Sequence, residues 1–191
     1  MDNDYFEDLD IDPAYTKAHE LPAAHYDYCR FKGLNLEQAN LAGFKFTDCS
    51  FVDCNLSLAN LQGCSFQDVK FQNCKLLGLH FEQCNAFNLS FSFQDCQLNH
   101  SSFYQLKLKK TGWINCKMQE VDFEGCDLSQ ADFSGSDLML SNFQFCQLEK
   151  ADFRTAVNFS IDPEANKIKG AKFSLSGLPG LLQKYQLSIQ G

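Results

Sequence analysis

A period of five residues constrains this chain more than any other feature. From Phe31, every fifth position reads Phe31, Leu36, Leu41, Phe46, Phe51, Leu56, Leu61, Phe66, Phe71, Leu76, Phe81, Ala86 and Phe91. After one step of seven the register resumes at Leu98 and continues through Phe103, Leu108, Trp113, Met118, Phe123, Leu128, Phe133, Leu138, Phe143, Leu148 and Phe153. Of these 25 positions 22 are Phe or Leu, which accounts for a composition of 19 Phe against 6 Tyr and 1 Trp. Two residues before each lies a second series of small and medium side chains, from Cys29, Leu34 and Ala39 to Ser141, Cys146 and Ala151. The remaining positions are mainly Asn, Asp, Gln, Ser, Lys and Gly, so each unit has two inward and three outward residues.

A helix repeats its apolar face every 3.6 residues and a strand every 2, and neither fits a period of five. A unit that bends the chain at each repeat does fit. Four such units return the chain over its start, so each side chain stacks on the one about twenty residues later, at the ~4.8 Å spacing of paired strands. The core is then a ladder of Phe and Leu, with the second series filling the corners.

On these residues the chain resembles the pentapeptide-repeat family. The resemblance implies an all-β fold, a right-handed quadrilateral parallel β-helix, with a short C-terminal helical dimerisation module. The expected organisation is an acidic N-terminal arm and cap over residues 1–26 and a repeat solenoid over 27–176. A two-residue break near 92–95 and an irregular last part from 154 interrupt the solenoid, and a C-terminal helix and tail follow over 177–191. Glu20-Leu21-Pro22-Ala23-Ala24 is expected to cover the first coil, because an open β-helix end exposes unpaired backbone. Lys167 to Phe173 is expected to restore one last rung through Ala171 and Phe173.

The length of 191 residues suits one domain. A mean hydropathy of -0.29, with no apolar run near the ~18 residues of a spanning helix, removes the membrane class. Asp2, Asp4, Glu7, Asp8 and Asp10 stand where an export signal would carry Lys or Arg, so a cytoplasmic protein is expected. A net charge of -8 argues against a surface that coats phosphate backbones, and direct nucleic-acid binding is not expected.

All 10 cysteines fall in the second inward series, at multiples of five except between Cys84 and Cys96. Zinc needs ligand pairs two to four residues apart, and none exists. The thiols therefore read as small buried apolar groups. His19, His25, His80 and His100 recur with no nucleophile at a catalytic spacing, and the glycines are isolated. No catalytic residue, cofactor or metal site is expected, and the chain does not read as an enzyme.

Charge is uneven along the chain. Residues 1–27 carry -7, 28–118 carry +3, 119–153 carry -7 and 154–191 carry +3. The third segment supplies the candidate partner-binding carboxylates Glu120, Asp122, Glu124, Asp127, Asp132 and Asp137. After the turn at Asp162-Pro163-Glu164, a short helix is expected over 177–185 and an alternating strand over 186–189. Leu178, Leu181, Leu182, Tyr185, Leu187 and Ile189 offer more apolar surface than so small an element can bury on itself, which makes them the candidate dimer interface.

The ending Leu181-Leu182-Gln183-Lys184-Tyr185-Gln186-Leu187-Ser188-Ile189-Gln190-Gly191 resembles the ends of the Qnr quinolone-resistance proteins. The segment Ile161 to Ile168 is similar to the same region of the microcin immunity protein McbG. What this Qnr/McbG resemblance implies is a homodimer joined at its C-termini, a DNA-mimicking acidic rod, and a type II topoisomerase partner, DNA gyrase or topoisomerase IV, protected from quinolones or peptide toxins. Qnr proteins project two loops from the coil, whereas this sequence has one short insertion. The alternative from the residues alone is a β-helical interaction scaffold for another protein partner.

Overall fold

The computed structural model describes residues 4–18 and 21–188. Ten short strands, all paired in parallel, mark the coils: β1 (Tyr5–Glu7), β2 (Asp10–Ile11), β3 (His25–Asp27), β4 (Arg30–Lys32), β5 (Lys45–Thr47), β6 (Ser50–Val52), β7 (Ser65–Gln67), β8 (Val69–Gln72), β9 (Phe91–Gln94) and β10 (Trp113–Ile114). The one α-helix among the described residues, α1 (Pro13–Ala18), follows β2. The strands form two ladders, β1-β3-β5-β7 on face 1 and β2-β4-β6-β8-β9-β10 on face 2. Faces 3 and 4 are held by single bridges, Asn35–Asn55–Lys75–Gln97–Lys117–Asp137 on face 3 and His80–Ser102–Asp122–Asn142 on face 4. The result is a parallel β-solenoid with four faces.

Each five-residue unit turns a corner. Non-glycine residues with positive φ recur there, including Gln38 (φ 55), Asp48 (φ 49), Asp53 (φ 56) and Asn73 (φ 52), with Gly33, Gly43 and Gly63 in the same conformation. Asn and Asp tolerate this left-handed region better than most residues, and glycine enters it freely. The residue preceding each inward Phe or Leu is often Asn or Asp, whose side chain accepts from the backbone N–H two residues on: Asn40 from Ala42, Asn60 from Gln62 and Asp127 from Ser129 (3.2, 3.0 and 3.2 Å). This Asx turn gives the polar outer positions a structural duty.

The interior is a stack of rings. On face 2 Phe31, Phe51 and Phe71 lie in one column with centroids 4.5 and 5.1 Å apart, continued by Phe93, Trp113, Phe133, Phe153 and Phe173. Neighbouring columns meet edge to face, as Phe103 does Trp113 at 4.9 Å. Offset and edge-to-face contacts are the favoured aromatic geometries. All ten cysteines are free and buried. Cys49, Cys54 and Cys74 aim their thiols at the carbonyls of Tyr26, Phe31 and Phe51 (3.4 to 3.5 Å), and Ser136 at the corresponding position donates to Trp113 O (2.7 Å). The second series therefore selects small side chains that also cap carbonyls of the preceding coil. Burial pushes the Cys49, Cys84 and Cys146 thiols up to about 12.

Three expectations need correction. Residues 5–11 belong to the solenoid and not to an arm: Phe6 pairs with Tyr26 and Ile11 with Phe31, each twenty residues back, and Ile11 is fully buried. Faces 3 and 4 of that first coil are replaced by α1, capped by Asp12, which accepts from the N–H of Ala14 and Tyr15 (2.9 and 2.8 Å). Tyr15 and Leu21 pack against the core, while His19 and Glu20 lie outside the described residues.

The extra two residues are absorbed before Phe91, not at 92–95. Phe71 pairs with Phe93 and Lys70 with Ser92, so the offset of 22 is already in place there. Asn85 N still bonds Cys64 O, twenty-one residues back, the same spacing as Ser65 N to Phe44 O one coil earlier. The insertion is the stretch 85–90, where Ala86 and Phe87 are exposed, so Ala86 leaves the inward series. Stacking decides this placement: Phe93 continues the face 2 column, and Phe91 closes the gap between Phe81 (5.3 Å) and Phe103 (6.1 Å).

The C-terminal helix is two 3-10 turns, Leu175–Leu181 and Gln183–Tyr185, and no strand forms over 186–188. The first turn lies on Phe159, where a Cβ at Gly177 would stand 2.9 Å from the ring, and Gly180 O accepts from Ile161 N at 3.0 Å. Such close approach requires glycine. The last rung forms as expected, with Phe173 stacked on Phe153 at 5.3 Å. Among the described residues no helix is long and apolar enough to cross a membrane.

Candidate functional site: an acidic face

The coil separates residues that are close in sequence. Of the candidate carboxylates, Glu120 lies at the corner of faces 3 and 4, and Asp122 and Glu124 lie on face 4. Asp127 stands on face 1, Asp132 on face 2 and Asp137 on face 3, as their bridges to Lys107, Gly112 and Lys117 place them. The six do not form one patch.

Those off face 4 are largely engaged. Asp127 is buried and accepts from Ser129 Oγ (2.7 Å), with Lys109 Nζ at 3.2 Å. Although burial opposes its ionisation, the Ser129 hydrogen bonds and Lys109 outweigh it and hold the carboxyl below its ordinary value. Asp132 accepts from the N–H (2.9 Å) and hydroxyl (2.5 Å) of Ser134, and Asp137 from the amide of Asn158 (2.8 Å). On face 2 Asp152 carries a two-point contact from Arg154 (2.7 and 3.0 Å) with Lys172 at 3.6 Å. Hydrogen bonds from Arg154 bring the Asp152 carboxyl down to about 2.

Face 4 differs. Asn142 Nδ2 donates to Asp122 Oδ1 (3.0 Å) and to Glu124 Oε2 (3.3 Å), holding two carboxylates side by side, while Glu124 N donates to Asp122 Oδ1 (3.0 Å). His100 Nδ1 lies 3.4 Å from Glu120 at the adjoining corner, and His80 Nδ1 lies 2.9 Å from Glu82 further down the same face. Toward the C-terminus the face continues to Asp162 and Glu164. Among the described residues the coils place no Lys or Arg on face 4. Faces 1 and 2 carry Lys45, Lys107, Lys109 and Lys167, and Arg30, Lys32, Lys70, Arg154 and Lys172. A cation reaches face 4 only from the C-terminal module, where Lys184 Nζ binds Asp162 (2.7 Å) and Glu164 (2.6 Å) and Tyr185 donates to Glu164 (3.0 Å). Glu82, Asp162 and Glu164 were not among the sequence candidates, and the coil period of about twenty residues is the signal that groups them with Asp122 and Glu124.

The candidate interface residues divide. Leu181 packs against the core and Leu182 is half-buried. Leu178, Tyr185 and Leu187 are exposed and, with Leu175, leave an apolar rim at this end of the rod. Ile189 lies outside the described residues.

The chain matches the model of the pentapeptide repeat region over residues 24–92 and 79–153. No curated protein matches its sequence. Among solved structures it is similar to two trypsin-treated variants of QnrB1, described as a plasmid-mediated fluoroquinolone resistance protein. The TM-scores are 0.63 and 0.62 at 15% identity, and 98% and 99% of this chain and 100% of each of those chains are covered. With its register, coil geometry and family match in agreement, the chain belongs to the pentapeptide-repeat family.

Proposed function

We propose that this protein is a DNA mimic that binds a type II topoisomerase, DNA gyrase or topoisomerase IV, through face 4 and protects it from quinolones or peptide toxins. The observation that carries the reading is the Asp122 and Glu124 pair, aligned by Asn142 on the face whose coils bear no Lys or Arg. An enzyme surface that accepts duplex DNA must neutralise closely spaced phosphates and is therefore basic. Carboxylates held at alternate coils of one face complement such a surface and steer association toward it. The fold shared with QnrB1, a fluoroquinolone resistance protein, supports the same direction. Leu178, Tyr185 and Leu187 supply the apolar contact for a homodimer joined end to end, which would double the acidic face across a two-fold axis. A cytoplasmic location, beside the target, belongs to the same reading.

A second reading, an interaction scaffold for another protein, is favoured by one observation. Asp122, Asp127, Asp132 and Asp137 all accept Asx-turn bonds, a duty that Asn35, Asn40, Asn55 and Asn60 perform without charge. A gyrase supercoiling assay titrated with this protein, with and without ciprofloxacin, separates the two. Restored supercoiling in the presence of the drug supports the mimic, and activity unchanged at every protein concentration leaves the scaffold.

A further inference from the structure

The insertion at 85–90 breaks the backbone ladder of face 1. The ladder runs from β1 to β7 and resumes only at Lys107, which bridges to Asp127. Asp127 and Asp132 donate their N–H groups to Leu106 O and Thr111 O of the preceding coil (2.9 and 3.0 Å). Lys107 and Gly112, one coil below them, make no such bond, and among the described residues no backbone hydrogen bond joins 85–91 to 105–111. The unzipped seam forms a groove of about 280 Å³ reaching from Val69 across Leu89 and Phe91 to Leu108.

Its rim is basic in an acidic protein. Lys70, Lys107, Lys109 and Lys110 surround it, and only Lys109 has a carboxylate partner, Asp127 at 3.2 Å. Lys70, Lys107 and Lys110 have none within ion-pair distance among the described residues. The one acid on the rim, Asp68, is engaged with Ser90, whose Oγ donates to its carboxylate (3.1 Å) and accepts from its N–H (2.7 Å). On the insertion itself, two residues before the lining residue Leu89, Phe87 stands 70% exposed.

We propose that this groove docks an extended acidic segment of a protein partner. Three ammonium groups with no carboxylate partner and the unbonded N–H of Lys107 give this lining an excess of donors, which favours carboxylates and peptide carbonyls. The groove spans two coil spacings, about 10 Å along the rod. That length takes several residues of an extended chain but exceeds one small anion. The exposed Phe87 ring gives a peptide an apolar contact that inorganic phosphate cannot use. The site lies on faces 1 and 2, away from the carboxylates of face 4, so it goes beyond the topoisomerase reading and stands or falls independently of it.

The probe is a fluorescein-labelled ten-residue peptide of alternating glutamate and serine with one central phenylalanine, titrated by anisotropy against the full chain at ~50 mM salt. Saturable binding is expected. Lys107→Glu with Lys110→Glu is expected to weaken it at least about ten-fold. Lys75→Glu with Lys117→Glu, the same change in net charge on face 3, is expected to alter it by less than about two-fold. Phe87→Ala is expected to weaken it several-fold with an unchanged melting temperature. No saturable binding, or equal losses in the two charge variants, overturns the proposal. Displacement by millimolar inorganic phosphate together with indifference to Phe87→Ala also overturns it, since that identifies a simple anion site.

Discussion

Phe93 stacks on Phe71 with ring centroids 5.3 Å apart and planes 10° apart, although 22 residues separate them, whereas Phe51 and Phe71 below are 20 apart. The column of rings thus fixes where the chain absorbs its two extra residues, and the insertion is expelled to 85–90. Phe93→Ala should cost about 3–5 kcal/mol in denaturant unfolding, the range for a fully buried ring. Phe87→Ala, on the expelled side, should change stability by less than about 0.5 kcal/mol. Equal costs would mean that the insertion lies elsewhere.

The same core explains a dependence on the first inward series. Phe123 is fully buried between Phe103 and Phe143, at 5.3 and 5.0 Å. Phe123→Asp places an unpaired charge among rings and should leave no cooperative melting transition by circular dichroism. A folded variant with the wild-type melting curve contradicts the register.

Much of this was legible in the sequence because the solenoid repeats locally: each five-residue unit sets its own inward pair and corner. The first coil was hidden because α1 interrupts it after only two units, although Phe6 and Ile11 stand twenty residues before Tyr26 and Phe31. The insertion is ambiguous in the sequence because Phe91 keeps the period of five from Phe81 while Phe93 keeps it toward Leu98, and stacking on Phe71 decides for Phe93. The acidic site was half legible. A linear window from 119 to 152 gathers carboxylates that the coil sends to four faces, and neutralisation of Asp127 by Lys109 comes from the preceding coil, outside any short motif.

Burial of the ten thiols predicts their chemistry. The thiolate is the reactive form, and burial that raises Cys49, Cys84 and Cys146 to about 12 leaves almost none at neutral pH. Ellman titration should count 10 thiols in denaturant and close to none in the native protein. A substantial native count would show that the second series is accessible.

Asp152 predicts a pH dependence. Its folded value near 2 lies below the unfolded 3.8, so the Arg154 contact contributes stability that is fully present above about pH 4 and is lost as pH falls through 2. Arg154→Ala should therefore lower the melting temperature at pH 7, with the difference from wild type vanishing toward pH 2. Carboxyl NMR should show the Asp152 midpoint returning to the ordinary range in the variant. An unshifted midpoint contradicts the pairing.

The C-terminal rim predicts assembly. Leu178→Asp with Leu187→Asp puts charge where an isologous contact would bury each leucine twice. Light scattering should give a dimer for the wild type and a monomer for the variant; because both side chains are exposed in the single chain, the two should melt alike at dilutions where the wild type is itself monomeric. A wild type that is monomeric at about 50 μM, well above a micromolar Kd, contradicts the end-to-end dimer.

Charge on face 4 can be removed without disturbing the coil, because Asn performs the Asx turn at equivalent positions. The measurement is the affinity of DNA gyrase for the wild type, for Asp122→Asn with Glu124→Gln, and for Asp132→Asn with Asp137→Asn, at low and high salt. The account predicts a loss of roughly ten-fold for the face 4 pair, largest at low salt where screening is least, and little change for the other pair. Equal affinities for all three proteins, or a loss confined to the Asp132 and Asp137 pair, would contradict it.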